Sequence, residues 1–316
     1  MSLTMIFKDY EDFSFSNCYV RTRNIIGFTA QQWLDDNDDP LEIRPTAVFF
    51  YYPDDPPEER WAVRYLGEAT GVHGTAVFKP NSQSIFVTED GEVYCVGQGY
   101  DNWEKQVLPN KKAYFSNVKS IRGGHAICVG PRRKVYLRNH ADSWTQLDRG
   151  LFPQGENTKL ENTGFSDIDG FSESDMYAGG GEADLWHYDG NRWRQIDVPA
   201  NSVLENICCA DDDWVYITTN RREIIKGRGE IWEVIQQDLT DEVFESIVRF
   251  NGKVLVSTVS EIYEVTKQGL EKATLGVPNM NSKAHLAVGD GILVVAGGDE
   301  ATMYDGKSWS VILEAE

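Results

Sequence analysis

Short apolar segments separated by turn residues run along the chain, and they are most regular between Gly164 and Ile196. This unit holds four such segments. The turn after the third segment is Asp189-Gly190, and glycine adopts the positive φ angle that a tight hairpin requires. The pattern therefore predicts four short antiparallel strands, the last of which begins at Trp193.

A closing strand marked by a tryptophan recurs at a nearly constant interval. The intervals run from 38 residues (232 to 270) to 49 residues (144 to 193). The seven markers are Trp61, Trp103, Trp144, Trp193, Trp232, Leu270 and Trp309. A period of about 40 to 50 residues is typical of a β-propeller, because one sheet exposes two apolar faces and must stack against neighbours around an axis. We therefore predict an all-β, seven-bladed β-propeller of four-stranded antiparallel blades; six blades and a β-sandwich are the alternatives.

Two units share a glycine pair, a tyrosine and, five positions after the tyrosine, a tryptophan. These residues are Gly179-Gly180, Tyr188 and Trp193 in one unit, and Gly297-Gly298, Tyr304 and Trp309 in the last. In this the chain resembles the β-propeller superfamily, and within it Kelch-like blades and bacterial propellers similar to photosystem assembly factors. The resemblance covers about 255 residues, from Trp61 to the end. It implies a single propeller domain over residues 1–316 and leaves the function open.

Residues 1–72 are the least regular part and are expected to form an irregular first blade. An acidic insert at about 26–45 interrupts it, and within the insert Thr29 is predicted to cap a short helix that runs to Leu34. Between positions 35 and 59, nine acidic residues stand against one basic residue, Arg44. The acidic residues are Asp35, Asp36, Asp38, Asp39, Glu42, Asp54, Asp55, Glu58 and Glu59.

The chain of 316 residues carries a formal net charge of −20, and its pI is near 4.6. This charge repels phosphate backbones and anionic lipid surfaces, so neither nucleic acid nor a membrane is expected as a partner, whereas a basic protein is attracted. The first residues lack the apolar segment of a secretory signal, and the five cysteines have no paired spacing. We therefore expect a cytoplasmic protein with free thiols.

Two aspartate clusters offer hard oxygen ligands, one at positions 35–39 and the other at Asp211-Asp212-Asp213. A calcium loop also needs a glycine turn and a distal glutamate, which neither cluster has in place, so no metal site is predicted. The sequence has no nucleophile elbow and no loop that would cradle a phosphate or a dinucleotide. No catalytic residue and no cofactor is therefore predicted.

The first strands of four units align with one another, with large apolar residues at their ends and polar residues between. Because first strands line the channel of a propeller, we expect a polar ring there, formed by Ser120, Asp167, Asn206 and Ser246. The alternative is that these side chains only satisfy neighbouring backbone groups and channel waters. An enzyme or a small-ligand or glycan binder would use the channel mouth, where acid and base groups would come from Asp167, Asp169, Glu205, Glu245 and His285.

Long inserts near 26–45 and 150–163 are expected on one face of the ring, where recognition loops usually lie. The candidate binding residues are Trp33, Asp35, Asp36, Asp38, Asp39, Leu151 and Phe152; alternatively, Trp33 packs against the first blade. These features favour a non-catalytic protein-binding propeller with a basic partner. A concrete hypothesis is a bacterial inhibitor or immunity protein for a basic toxin, with an assembly factor as another alternative.

Overall fold

The computed structural model describes residue 10 and residues 12–33, 43–105, 114–152, 163–235 and 238–314. These residues form seven antiparallel sheets of four strands each. The first strands of successive sheets contact one another, and the first strand of the last sheet contacts that of the first. The chain is thus an all-β, seven-bladed propeller, which confirms the predicted fold. No helix in the described ranges is long and apolar enough to cross a membrane.

Every blade is built from four consecutive strands. Blade 1 contains β1 (Phe13–Thr22), β2 (Ile25–Gln32), β3 (Arg44–Tyr51) and β4 (Trp61–Ala69); blade 2 contains β5 (Val72–Val77), β6 (Gln83–Thr88), β7 (Val93–Gly97) and β8 (Tyr100–Trp103). Blade 3 contains β9 (Asn117–Ser120), β10 (Ala126–Gly130), β11 (Lys134–His140) and β12 (Ser143–Gln146); blade 4 contains β13 (Asp167–Ser172), β14 (Asp175–Gly180), β15 (Asp184–Tyr188) and β16 (Trp193–Ile196).

The remaining blades follow the same order. Blade 5 contains β17 (Leu204–Cys209), β18 (Val215–Thr219), β19 (Ile224–Arg228) and β20 (Ile231–Ile235); blade 6 contains β21 (Ser246–Phe250), β22 (Lys253–Ser257), β23 (Ile262–Thr266) and β24 (Gly269–Lys272). Blade 7 contains β25 (His285–Gly289), β26 (Ile292–Gly297), β27 (Glu300–Tyr304) and β28 (Trp309–Leu313). Short 3₁₀ turns lie at Pro57–Glu59 and Ile121–Gly123.

All seven sequence markers lie on fourth strands, which explains their period. The recurring Tyr-Trp pair is a cross-strand pair: Tyr188 faces Trp193 with ring centroids 5.1 Å apart, and Tyr304 faces Trp309 at 4.9 Å. The indole Nε1 of Trp193 also donates to the carbonyl of Leu147 at 2.9 Å. Trp193 therefore links the outer strand β16 to the connection between blades 3 and 4.

In the described residues every blade consists of four consecutive strands, so none of these sheets is shared between the first and last parts of the chain. Phe15 N donates to the carbonyl of Gly298 at 2.7 Å, and one isolated bridge joins the same two residues. Apolar side chains of blades 1 and 7, including Phe28 and Val294, form a common core cluster. The seam between blades 7 and 1 is consequently held mainly by side-chain packing.

The short helix expected from Thr29 to Leu34 is wrong, because residues 25–32 form strand β2. This strand pairs with β1 on one side and with β3 on the other, and Thr29 is fully buried between them. Two ladders of backbone hydrogen bonds thus override the local capping signal. The β2–β3 connection spans 33–43, which is shorter than the insert expected at 26–45.

Candidate functional site

The connections from the second to the third strand of each blade, and those from one blade to the next, lie at the same end of the ring because the strands are antiparallel. We call this end the loop face. It carries the long connections 33–43, 104–116 and 147–166. The described ends of these connections, such as Trp33, Ile43, Phe152 and Thr163, lie at this end of the ring, whereas residues 34–42, 106–113 and 153–162 lie outside the described residues.

The acidic residues between positions 35 and 59 lie on both sides of β3 in the sequence, and only those that follow this strand are described. Asp54, Asp55, Glu58 and Glu59 follow β3 and lie on the opposite face. Asp35, Asp36, Asp38 and Asp39 belong to the β2–β3 connection and fall outside the described residues.

The three apolar candidates differ in their surroundings. Trp33 and Phe152 are exposed, at 63% and 49%, so Trp33 does not pack as a satellite of blade 1. Leu151 is completely buried in the cluster that contains Trp186 and Trp193. Leu151 is therefore a core residue and cannot present its side chain to a partner, which corrects its place among the binding candidates.

Exposed apolar side chains are frequent on the loop face. Those with exposures between 47% and 63% are Trp33, Ile43, Tyr114, Phe152, Leu239, Val243 and Val259. Isolated exposed apolar residues are normal on a protein surface, but a concentration of them on one face marks an interaction surface. Leu239 and Val243 lie in a connection that is fixed to blade 6, because the Glu242 carboxylate accepts hydrogen bonds from Ser260 N (3.1 Å) and Oγ (2.7 Å).

A central cavity of about 1040 Å³ follows the axis of the ring. Three of the four residues expected there, Ser120, Asn206 and Ser246, line it. Their polar atoms also bond to protein groups: Ser120 Oγ donates to Gly124 O at 3.1 Å, and Asn206 Nδ2 donates to Thr218 Oγ1 at 3.1 Å. These bonds agree with the alternative that the polar side chains of the ring form hydrogen bonds with neighbouring groups of the protein.

Asp167 does not line the cavity, in contrast to the expectation, because it is almost completely buried between blades. Its carboxylate accepts hydrogen bonds from Lys119 Nζ (2.5 Å), Asn117 Nδ2 (2.8 Å) and Ile207 N (2.7 Å). Asp167 thus joins blades 3, 4 and 5.

Glu205, Glu245 and His285, which were considered as acid or base groups, do line the cavity. Burial and the neighbouring charge of Glu245 raise the pKa of Glu205. Burial and the charge of Glu242 raise the pKa of Glu245. Burial lowers the pKa of His285 to about 4, so the imidazole is neutral at pH 7.

The end of the cavity opposite the loop face is crossed by an ionic cluster. Asp211 Oδ1 contacts Arg122 Nη1 at 2.9 Å and Arg249 Nε at 3.4 Å. Both guanidinium groups also donate to the carbonyl of Cys209, and Arg249 lies 3.7 Å from Asp169. Asp169 is thus part of an inter-blade contact. Within the described ranges, no group of three or more His, Cys, Asp or Glu residues is arranged to hold a metal ion.

A groove of about 420 Å³ lies beside the cavity on the loop face, between blades 3, 4 and 5. Two isolated backbone bridges frame it, Pro131 with Gly164 and Glu182 with Val203. Its lining is Ser116, Pro131, Thr163, Gly164, Phe165, Ser166, Gly181, Glu182 and Val203. No sequence motif predicts this groove, because its walls come from separate turns that share no common pattern.

The protein is therefore a β-propeller with a groove and several exposed apolar side chains on its loop face. No family model matches the chain. Over 246 residues the sequence is 32% identical to the immune protein Tsi7 of Pseudomonas aeruginosa PAO1, and the match covers 76% of this chain and 79% of that protein. The chain belongs to the family of the immune protein Tsi7 and is an immunity protein with a propeller fold.

Solved structures of other propellers are similar in fold. The WD40 propeller domain of Doa1 matches with a TM-score of 0.64 and 11% identity, over 91% of this chain and 90% of that chain. A catalytically inactive virginiamycin B lyase from Staphylococcus aureus, solved with quinupristin, matches with a TM-score of 0.60 and 11% identity, over 91% and 88%. The resemblance to the β-propeller superfamily is thereby confirmed, while the likeness to Kelch blades is only approximate. Identities this low show the fold alone.

Proposed function

We propose that this chain binds a basic protein toxin through its loop face and neutralises it without catalysis. The observation that carries the proposal is the similarity to the immune protein Tsi7 over most of both chains. An immunity protein acts on a protein partner, and the loop face is the part of this molecule that offers a partner both exposed apolar side chains and long connections.

The charge of the chain supports a basic partner. A net charge of −20 attracts a cationic protein over distances comparable to the Debye length, which is about 8 Å at physiological salt. Such attraction mainly increases the association rate. Exposed side chains such as Trp33, Phe152 and Leu239 then supply apolar area that is removed from water on contact. The charge of the chain thus increases the association rate, and the apolar contacts slow dissociation of the partner.

We propose a binding role rather than an enzymatic one because two of the possible acid and base groups form contacts between blades and a third is a weak base. Asp167 and Asp169 bond to neighbouring blades, and His285 has a pKa of about 4. We also propose that the protein acts in the cytoplasm, in keeping with five free, buried cysteines. The same acidity disfavours nucleic acid and anionic membranes as partners.

The test is a pull-down at low salt from the source bacterium, followed by expression of any stoichiometric partner in a second host. We expect a basic protein that arrests growth when expressed alone and does not arrest growth when expressed with this chain. Co-expression with a variant carrying asparagine at positions 35, 36, 38 and 39 measures what that aspartate cluster contributes. Recovery of no such toxin, or growth arrest that the chain does not relieve, would contradict the proposal.

A further inference from the structure

The groove and the mouth of the central cavity form one continuous concavity on the loop face. Ser116 and Ser166 line both of them. Val203 lines the groove, and Glu205 and Asn206, which follow it at the β-bulge near the start of β17, both line the cavity. A partner segment in the groove would therefore continue toward Glu205.

The carboxylates of this concavity lack the cationic partners that other buried acids have. Asp167 is paired with Lys119, and Asp184 is paired with Arg133. In the part of the chain that the structure describes, no ion pair or side-chain hydrogen bond is found for the half-buried Glu205 and Glu245. Exposed Glu182 adds a third carboxylate at the groove. A positive charge brought by a partner would relieve the repulsion between Glu205 and Glu245.

The groove itself suits an apolar side chain. Pro131, Phe165 and Val203 provide its apolar walls, and Gly164 allows the backbone of this wall to pack closely against Pro131. Its volume of about 420 Å³ falls within the range of about 300–1,000 Å³ that is usual for binding sites. Side chains that fill such pockets at the centre of an interface contribute most to affinity.

We infer that this concavity receives an extended segment of the basic toxin, with an apolar side chain in the groove and a lysine or arginine between Glu205 and Glu245. The inference rests on the proposed function and specifies where and how the partner binds. It commits to one occupant, a cationic peptide segment, because the unpaired carboxylates and the apolar groove are complementary to alternating basic and apolar side chains.

A direct test uses a blocked, fluorescein-labelled peptide of alternating leucine and lysine as the probe. Its binding is measured by fluorescence anisotropy at about 0.15 M salt, where distant charges are screened. The test variant is Glu205→Gln with Glu245→Gln, and the matched control is Glu58→Gln with Glu59→Gln on the opposite face. Both double variants have the same net charge. We expect the test variant to bind the peptide about tenfold more weakly than the unsubstituted chain. The affinity of the control variant should change by less than about twofold.

The groove is tested by Val203→Trp, which places a large side chain in it, against Val311→Trp at an exposed position of strand β28. The Val203 variant is expected to weaken peptide binding about tenfold while the Val311 variant has no effect, with circular dichroism confirming that both fold. Equal affinities for the paired variants would overturn the inference.

The same variants are then measured with the toxin recovered by pull-down. If the toxin is neutralised equally by Glu205→Gln/Glu245→Gln and by the control, the concavity is not the site, although the proposed function stands. If no toxin is found, the proposed function is contradicted. In that case the peptide measurements alone show whether the concavity binds a cationic segment.

Discussion

Arg138 and Glu104 form a completely buried ion pair between blades 3 and 2. Arg138 Nη2 lies 2.6 Å from Glu104 Oε1, and the two side chains are 1% and 0% exposed. Glu104 Oε2 also accepts hydrogen bonds from Trp144 Nε1 and Asp142 N, both at 3.2 Å. The carboxylate thus connects the end of blade 2 to two strands of blade 3.

Glu104→Gln should therefore destabilise the ring strongly. It leaves the Arg138 guanidinium buried without a counter-charge, which typically costs about 3–5 kcal/mol. The control is Asp241→Asn, whose partner Arg222 is 42% exposed, and its expected cost is below about 1 kcal/mol. The free energy of unfolding from urea titration gives both values, and similar losses for the two variants would show that the buried pair has no special weight.

Trp193→Ala should cost about 3–5 kcal/mol, because Trp193 is 1% exposed and its removal leaves a cavity in the core of blade 4. Trp309→Ala should cost less, since Trp309 is only partly buried although it bonds to Leu275 O at 2.8 Å. Trp33→Ala, at a position 63% exposed, should change the free energy of unfolding by less than about 0.5 kcal/mol. Denaturant titration of the three variants tests this order, and a loss at Trp193 no larger than that at Trp33 would refute it.

Two half-buried histidines that line the central cavity should make the fold less stable in mild acid. Burial lowers the pKa of His73 and of His285 to about 4, against about 6.5 in the unfolded chain. Below pH 6.5 the unfolded chain takes up protons that the folded chain does not, so stability falls as the pH drops toward 4. His73→Gln should reduce the loss between pH 7 and pH 5 by roughly 2 kcal/mol. Exposed His140→Gln is the control, and an unchanged pH dependence in the His73 variant would disprove the effect.

Glu205 and Glu245 should have the opposite pH dependence. Their pKa values are raised in the folded chain, so ionisation at neutral pH weakens the fold, and the penalty disappears once both states are protonated at low pH. Glu205→Gln should therefore be more stable than the natural chain at pH 7 and equal to it near pH 4. Thermal unfolding at several pH values tests this, and a constant difference across the range would show that charge is not its cause.

Substitutions at the neighbouring residues Leu151 and Phe152 should have different effects, the first on stability and the second on toxin binding. Leu151→Ala should cost about 2–5 kcal/mol, because the side chain is completely buried. Phe152→Ala should leave the free energy of unfolding nearly unchanged and weaken binding of the toxin. Ile231→Ala, an exposed apolar position on the opposite face, is the matched control for binding. Equal toxin affinity for the Phe152 and Ile231 variants would remove Phe152 from the interface.

The sequence carried enough information for the fold because every fourth strand carries a large apolar marker, which is a tryptophan in six blades and Leu270 in blade 6. The regular spacing of these markers was enough to count the blades. In four blades the tryptophan faces a tyrosine, as at Tyr188 and Trp193. The strand at Thr29 was missed because pairing with strands on both sides, rather than local sequence, determines it.

The candidate site was predicted less well, because it depends on contacts between distant residues. Ser120, Asn206 and Ser246 line the cavity, whereas Asp167 is buried and bonds to Lys119, which lies 48 residues earlier. The pattern that places Leu151 and Phe152 in one loop does not say which of them enters the core. Glu182 and Val203 face each other only through tertiary structure.

The closure between Phe15 and Gly298 also bears on how such a ring can change over evolutionary time. Since no sheet of the described residues combines strands from both ends of the chain, each sheet is encoded by one continuous stretch of about 40 codons, which we call a module. Duplication or loss of one module would leave every remaining sheet intact and would alter only the packing angle between neighbours. The width of the central cavity, and with it the size of what the ring can receive, is therefore a property that whole-module changes can adjust.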